Sequence, residues 1–262
     1  MTTRDEIVQR AANRLWAARR AGIPCAPVRD LIGSDPWMAY EVARVNLTRS
    51  INDGARRAGW KIGLTSTTVQ TQLGITNPDY GTLFDSMRIA PGGHVPPGVL
   101  MQPRVEAEVA FVMSADATGP LDGPDDLARS VEGAKAAIEI VDSRITRWDL
   151  TFADTVADNA SSAMFVVSDT VVPLAAVVPA DVSVLTFING NVASEGNGRM
   201  CMDDPLLAVL WLARTLRDLG EPLLAGDVVL SGALGPPMAV QAGDVVDVEF
   251  TGLGGVRVTF DR

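Results

Sequence analysis

Two glutamates one residue apart, in the stretch MQPRVEAEVAFVM at residues 101–113, constrain this chain more than any other feature. Successive side chains of an extended strand point to opposite faces, so Glu106 and Glu108 share one face. The other face is apolar and consists of Val105, Ala107, Val109 and Phe111. Because like charges at this spacing repel, the pair is either solvated at a strand end or neutralised by a bound group. Mg²⁺ or Mn²⁺ would suit two carboxylates.

A third carboxylate, Glu139, lies in a short apolar segment rich in β-branched residues, 136–145, which predicts a core strand. Burying a carboxylate there is costly unless it is paired or binds a metal. We therefore predict Glu139 as the third ligand beside Glu106 and Glu108. Three carboxylates would leave about three of six octahedral positions for water and substrate.

Charge and cysteine content exclude several classes of protein. The 262 residues carry a formal net charge of −10 without a dense basic run, which disfavours nucleic acid and anionic membranes as partners. Cys25 and Cys201 form no C-x-x-C motif, so neither a disulfide framework nor a thiolate zinc site is indicated, and a cytoplasmic location is expected. No signal peptide or membrane span is expected either, because Asp and Pro interrupt the most apolar region, 165–187.

The single histidine, His94, limits the possible mechanisms. It stands between glycines and prolines in APGGHVPPG, so we expect it to be an exposed loop residue. A Ser-His-Asp triad, a multi-histidine zinc centre or a two-histidine iron site would have to be built on this residue alone. Any chemistry should therefore come from carboxylates, lysine, hydroxyl groups and a metal ion.

The N-terminal part of the chain predicts two amphipathic helices. The first covers residues 3–21, and the second covers residues 36–52 with Ser34 or Asp35 as its N-cap. We expect them to form a helical cap segment, residues 1–55, joined without a linker to one catalytic domain, residues 56–262.

Two polar residues follow in a strand and in a turn. Lys61 alternates with apolar neighbours in a strand predicted over residues 60–65, where it is either a snorkelling edge residue or a partly buried proton donor or anion anchor. A helical turn is predicted over residues 66–73. Asp79 lies in NPDYG, whose composition by itself favours a turn former over a base.

Further along the chain, Asp142 and Arg144 are expected to form a structural ion pair, and Ser161 and Ser162 precede an apolar run at residues 163–167. These serines are either turn formers or groups that orient a substrate carboxylate or a water.

The last third of the chain predicts a hairpin, a helix and a final hairpin. A strand over 182–188 leads into the turn signal Asn189-Gly190. Asp203 or Asp204, followed by Pro205, predicts a packing helix that ends at Gly220. The tail predicts strands joined by glycine turns, with a hairpin across residues 252–255.

Five pieces of the chain together resemble the 2-keto-4-pentenoate hydratase (2-hydroxypenta-2,4-dienoate hydratase) family, which shares its fold with the fumarylacetoacetate hydrolase superfamily. They are KIGLTSTTVQTQLGITNPDYGTLF, QPRVEAEVAFV, AIEIVDSRI, FADTVADNASS and GDVVLSGALG. The resemblance runs from about residue 18 to the C-terminus. It implies an α+β fold with a mixed β-roll or β-sandwich core, packing helices and an N-terminal helical segment. It also implies a homo-oligomer and a Mg²⁺ or Mn²⁺ centre at Glu106, Glu108 and Glu139.

The function implied by this resemblance is hydration of a 2-hydroxy-2,4-dienoate to a 4-hydroxy-2-oxo acid in meta-cleavage catabolism of aromatic or related rings. The metal would act as a Lewis acid on the 2-oxygen. Asp79 is the first candidate for the base, Lys61 for electrostatic stabilisation or proton delivery, and Ser161 for binding the substrate carboxylate. A downstream aldolase or a related decarboxylase is an expected protein partner.

Three other functions stay open at this point. A 2-oxo-3-enedioate (4-oxalocrotonate-type) decarboxylase would use the same metal but needs a further cation for its dicarboxylate substrate. An acylpyruvate hydrolase and a non-catalytic subunit are the other two. Many relatives carry His-Pro at the start of the late helix, whereas this chain has Asp204-Pro205, so the helix should form but any contact of that histidine is in doubt.

Overall fold

A computed structural model of the chain describes residues 3–66, 70, 71, 75 and 77–262. Its N-terminal part is helical and comprises α1 (Arg4–Ala21), the single turn α2 (Arg29–Ile32) and α3 (Pro36–Asn52). Both predicted helices are confirmed. Thr3 and Glu6 form a reciprocal capping box on α1, and the Asp35 side chain caps α3.

The N-terminal helices pack on the rest of the chain through a hydrophobic cluster of their own. This cluster joins buried residues of α1 and α3 to Ile145 and to α5 (Phe152–Ala157), a helix that the sequence did not predict. The division into residues 1–55 and 56–262 stays a proposal. None of the described helices has the length and apolar composition that a bilayer span requires.

The larger sheet contains eight strands of the described chain. They are β1 (Arg57–Gly63), β2 (Asp79–Phe84), β3 (Arg88–Ile89), β5 (Arg104–Met113), β6 (Val131–Val141), β7 (Ser162–Val167), β10 (Val228–Ala233) and β11 (Met238–Ala239). Their order is β2-β1-β10-β5-β6-β7-β3, with β11 paired to β5. The sheet is mixed, because β1 and β10 run parallel, as do β3 and β7, while the other pairs are antiparallel.

A second, smaller sheet contains five described strands in the order β4-β13-β12-β8-β9. They are β4 (His94–Val95), β8 (Ser183–Ile188), β9 (Asn191–Asn197), β12 (Val245–Phe250) and β13 (Gly254–Phe260). Both predicted hairpins are confirmed, since β8 pairs with β9 and β12 pairs with β13. His94 is exposed as predicted, although it lies in the short strand β4 and contacts Asp261.

The main hydrophobic core lies between the two sheets and under a long helix. The helices of this part are α4 (Pro124–Ala128) and α6 (Pro205–Asp218). One cluster joins apolar side chains of β5 and β6 to those of β12, β13 and α6. This packing of helices on a mixed β core confirms the predicted α+β fold class.

Three local predictions need correction or fall outside the described residues. Strand β6 ends at Val141, so residues 142–145 are not part of it. The predicted Asp142–Arg144 ion pair is wrong, because Arg144 Nε donates to Asp158 Oδ1 at 2.5 Å while the Asp142 carboxylate accepts two backbone N–H groups. Each group finds its partner across the fold rather than along the strand. The predicted helical turn over 66–73 lies largely outside the described residues.

Candidate active site

The three glutamates come together where β5 and β6 pair. Glu106 and Glu139 are directly opposite each other in the antiparallel register. Glu108 lies two residues further along β5, on the same face. One carboxylate oxygen from each residue lies within 4.8 Å of the others. Glu108 and Glu139 are fully buried and Glu106 is partly exposed, so the cluster opens to solvent on one side.

Burial and mutual repulsion destabilise the ionised form of these carboxylates, which a bound cation would stabilise. Burial raises the pKa of all three, and the other glutamates add to the shift of Glu108. The pKa of Glu139 is raised to about 7. Within the described part of the chain, Glu108 Oε1 and both oxygens of Glu139 accept no hydrogen bond. A hard divalent cation fits this set of orphaned oxygen ligands.

Lys61 is the buried cation of the cluster. Its side chain is 3% exposed, and its Nζ lies 3.2 Å from Glu139 Oε2 and donates to the carbonyl oxygen of Ala160 at 3.0 Å. Burial alone would lower the pKa of Lys61, but Glu139 and the other carboxylates outweigh it and raise the pKa. The ammonium therefore stays charged at neutral pH. The snorkelling interpretation is wrong, and the alternative of a buried lysine near carboxylates is confirmed.

Asp79 faces the same space from the first position of β2. It is 1% exposed, and neither of its oxygens accepts a hydrogen bond of good geometry within the described residues. Burial raises its pKa, and Lys61 opposes that shift. Asp79 pairs with Gly63 across β1 and β2. A Cβ at position 63 would stand 2.2 Å from Asp79 Oδ1, so any larger residue there would displace the carboxylate. The turn-former interpretation of Asp79 is wrong, because the residue begins a strand and is buried.

A strained segment, residues 159–161, supplies the acceptor for Lys61 and positions Ser161. Its three residues, none of them glycine, have φ between 50° and 55°, in the left-handed region. Such strain persists only where surrounding contacts hold it. Here the Asn159 side chain exchanges two hydrogen bonds with the backbone of Thr82. Ser161 lines the cleft, is 3% exposed, and its hydroxyl has no partner among the described residues.

Sequence reasoning missed Gly232 as part of the site. Its backbone N–H donates to Glu108 Oε2 at 2.7 Å, which orients that carboxylate. Gly232 has φ of 111°, and a Cβ there would meet Thr65 Oγ1 at 2.4 Å. The only sequence signal was the glycine spacing in GDVVLSGALG.

A cleft of about 590 Å³ connects these groups to solvent. Its polar end contains Lys61, Asp79, Glu106 and Ser161. Most of the remaining wall is apolar and includes Leu64, Val141, Trp148, Leu150, Phe152, Met200, Pro236 and Pro237. Asp204, which precedes Pro205, caps α6 as predicted and is not among the residues that line this cleft.

Comparisons with known proteins agree with this geometry. A model of the fumarylacetoacetate (FAA) hydrolase C-terminal family matches residues 72–261. The "TodF product hydratase" of Pseudomonas putida strain F1 is 46% identical over 262 residues, covering 100% of this chain and 98% of that protein. A 2-keto-4-pentenoate hydratase of Burkholderia vietnamiensis strain G4 is 45% identical over 257 residues, or 98% of each chain.

Among solved structures, 4-oxalocrotonate decarboxylase from Pseudomonas putida G7, complexed with magnesium and adipate, is similar with a TM-score of 0.93. It shares 30% sequence identity, and the match covers 99% of both chains. The higher identity lies with the hydratases, over nearly their whole length. This chain therefore belongs to the 2-keto-4-pentenoate hydratase family of the fumarylacetoacetate hydrolase superfamily.

Proposed function

We propose that this protein is a metal-dependent hydratase (a hydro-lyase) that adds water to 2-hydroxypenta-2,4-dienoate or a 5-substituted analogue. The product is a 4-hydroxy-2-oxo acid, and the reaction belongs to meta-cleavage catabolism of aromatic or related rings. The observation that carries this proposal is the cluster of Glu106, Glu108 and Glu139, which reaches through Glu106 the cleft that Lys61 and Asp79 also line. Its support is the identity of 45–46% to relatives named as hydratases.

Glu106, Glu108 and Glu139 would hold a Mg²⁺ or Mn²⁺ ion. Support comes from Glu108 Oε1 and Glu139 Oε1, which are buried and have no hydrogen-bond partner among the described residues, and from the magnesium named with the decarboxylase structure. When bound, the ion supplies Lewis-acid stabilisation for negative charge on the substrate's 2-oxygen.

The chain's own residues would move the protons. Ketonisation of the dienol requires loss of the 2-hydroxyl proton and protonation at C5, and hydration then places hydroxide at C4 and a proton at C3. We assign Asp79 as the base, because burial raises its pKa toward the range in which carboxylates accept protons efficiently. Lys61, charged and buried, would stabilise the developing negative charge or deliver a proton. The free hydroxyl of Ser161 would donate a hydrogen bond to the substrate carboxylate.

The direct test is the ultraviolet absorbance of 2-hydroxypenta-2,4-dienoate mixed with the purified protein. We expect loss of the diene band with Mg²⁺ or Mn²⁺, formation of 4-hydroxy-2-oxopentanoate, and no turnover with excess chelator. Glu139→Gln should be inactive, whereas Glu132→Gln, an exposed glutamate on the same strand, should behave as wild type. No loss of the band with any metal would refute the hydratase proposal.

The second candidate is 4-oxalocrotonate-type decarboxylation, favoured by the TM-score of 0.93 to a decarboxylase. Release of CO₂ from 2-oxo-3-hexenedioate at a rate above dienoate hydration would establish it. We also propose a homo-oligomeric assembly, which light scattering after size-exclusion chromatography would test. Association with a downstream aldolase or a decarboxylase subunit stays a prediction, and co-purification of the two proteins would test it.

A further inference from the structure

Arg104 is a cation in the cleft to which no role has been given. It lies on β5 two residues before Glu106, on the same face, and lines the cleft beside the glutamate cluster. Its side chain makes no hydrogen bond or ion pair with any described residue. Its charge favours the ionised form of the nearby Glu106, but its donors lose water without gaining a protein acceptor, which is costly for a partly buried guanidinium.

Trp148 holds this guanidinium in place. The Arg104 guanidinium carbon lies 4.4 Å from the centre of the Trp148 ring. The indole is fixed in turn, because its Nε1 donates to the carbonyl oxygen of Gln102 at 3.0 Å. Stacking on an aromatic ring leaves the edge of a guanidinium free to donate in its own plane. Arg104 is therefore oriented without using its donors.

Arg104 and Lys61 are the two cations that line the described part of the cleft. Glu106, Glu108, Glu139 and Asp79 carry up to four negative charges, and Lys61 is already engaged with Glu139. A divalent ion and Lys61 would leave one negative charge, which the charge of Arg104 balances while its N–H donors stay without an acceptor among the described residues. The residues between 66 and 77 that lie outside the described ranges include no lysine or arginine, so they add no further cation.

The apolar part of the cleft has no comparable group. Away from the glutamates, the described walls include Leu64, Leu150, Phe152, Met200 and the proline pair at residues 236–237. The polar side chains of this part are the uncharged hydroxyls of Thr65, Ser66, Thr151 and Thr155. An ionised carboxylate placed against these side chains would lose hydration without a compensating charge. A methyl or other small apolar group would be favoured there.

We propose that Arg104, stacked on Trp148, binds the C1 carboxylate of the substrate, so that the other end of the substrate lies against the apolar wall of the cleft. A planar guanidinium matches a carboxylate with two parallel hydrogen bonds. Ser161 can donate only one hydrogen bond and brings no charge. This inference rests on the proposed function, because it assigns the substrate of that same site.

Binding of an unreactive analogue separates this inference from the hydratase reaction. Isothermal titration calorimetry with 2-oxopentanoate would be performed on the Mn²⁺-loaded wild type, on Arg104→Gln and on Arg104→Lys. We expect Arg104→Gln to weaken binding by about 10- to 100-fold, and Arg104→Lys to lie between it and the wild type. With the dienoate, the same loss should appear mainly in KM.

Three controls make the measurement specific. Arg88 stacks on Phe165 with a similar separation of 5.0 Å, but it is exposed and lies outside the cleft, so Arg88→Gln should bind like wild type. Mn²⁺ affinity of Arg104→Gln should not fall, because Arg104 is not a ligand. The uncharged 2-pentanone should not distinguish Arg104→Gln from wild type.

Two outcomes would overturn the inference. The first is an Arg104→Gln variant that binds 2-oxopentanoate as tightly as wild type. The second is that the wild type binds the dicarboxylate 2-oxoadipate more tightly than 2-oxohexanoate and that Arg104→Gln abolishes this difference. Arg104 would then bind the distal carboxylate rather than the C1 carboxylate. Both readouts are independent of turnover, so a wild-type protein that fails to hydrate the dienoate would refute the hydratase proposal and leave this test valid.

Discussion

Asp154 is the residue at which a single substitution should most clearly separate the N-terminal helices from the rest of the chain. Its side chain is fully buried in α5. Oδ1 accepts the backbone N–H groups of Val28 and Arg29, both at 2.9 Å. Oδ2 accepts from Arg29 Nη1 at 2.7 Å and from the Thr151 N–H and hydroxyl at 3.0 and 2.8 Å. One carboxylate therefore joins the start of α2 to the start of α5.

The substitution Asp154→Asn keeps the size of the side chain but removes its charge. Oδ1 can keep both of its hydrogen bonds, whereas an amide NH₂ in place of Oδ2 faces three donors. Hydrogen bonds to charged groups are worth about 1.5 to 3 kcal/mol each, and the ion pair with the part-exposed Arg29 adds less than about 1 kcal/mol. Because the Thr151 hydroxyl can rotate, we expect a loss of about 3 kcal/mol in the free energy of unfolding.

The loss should depend on pH in a defined direction. Burial alone would raise the pKa of Asp154, but the hydrogen bonds from Thr151 and Arg29 outweigh it and hold the pKa below its ordinary value. A carboxyl group with a lowered folded-state pKa stabilises the protein above its unfolded pKa, and this stabilisation disappears as pH falls through the folded-state value. The difference between wild type and Asp154→Asn should therefore be full at pH 6 and shrink below about pH 4.

The measurement is urea unfolding followed by tryptophan fluorescence and circular dichroism, with chelator present throughout. Asp149→Asn is the matched control, because Asp149 also pairs with Arg29 at 2.7 Å but is 55% exposed. It should cost no more than about 0.5 kcal/mol. Equal effects of the two variants, or an Asp154→Asn loss below about 1 kcal/mol at pH 6, would refute the reasoning.

Three further predictions concern the site. Mn²⁺ affinity should rise between pH 5.5 and about 8, because the pKa of Glu139 is raised to about 7 and protons compete with the metal for its carboxylate. Metal binding should then release protons, which calorimetry in buffers of different ionisation enthalpy measures. The absence of proton release would refute this prediction. Gly232→Ala should weaken metal binding about 10-fold or more, because a side chain at this positive φ is strained and would displace Glu108. Gly119→Ala is the control, because a Cβ at position 119 meets no atom within 4 Å. Equal calorimetric affinities of the two variants would contradict the prediction. Asp79→Asn should lower kcat by about 100-fold or more with metal affinity retained, and unchanged turnover would remove Asp79 from the mechanism.

The helices of the fold were predictable because their ends are encoded locally. Asp35 and Asp204 are N-caps that precede a proline, and each begins a helix at the next residue. The strand faces were predictable for the same reason, since the alternation along β5 depends only on the two-residue period of a strand. The start of α5 escaped prediction although Thr151 and Asp154 form a capping box, because the helix is only six residues long.

The sequence by itself also predicted the cluster of three carboxylates proposed to bind the metal, because Glu106 and Glu108 share a strand face and Glu139 is too costly to bury alone. The tertiary structure decided everything that depends on which strands and loops are neighbours. It brought Lys61 to Glu139, buried Asp79 at the start of β2, paired Arg144 with Asp158 and strained residues 159–161 against Thr82. Local periodicity fixes the face on which a side chain stands. The contact that gives it a role comes from residues 14 to 99 positions away, which no local pattern encodes.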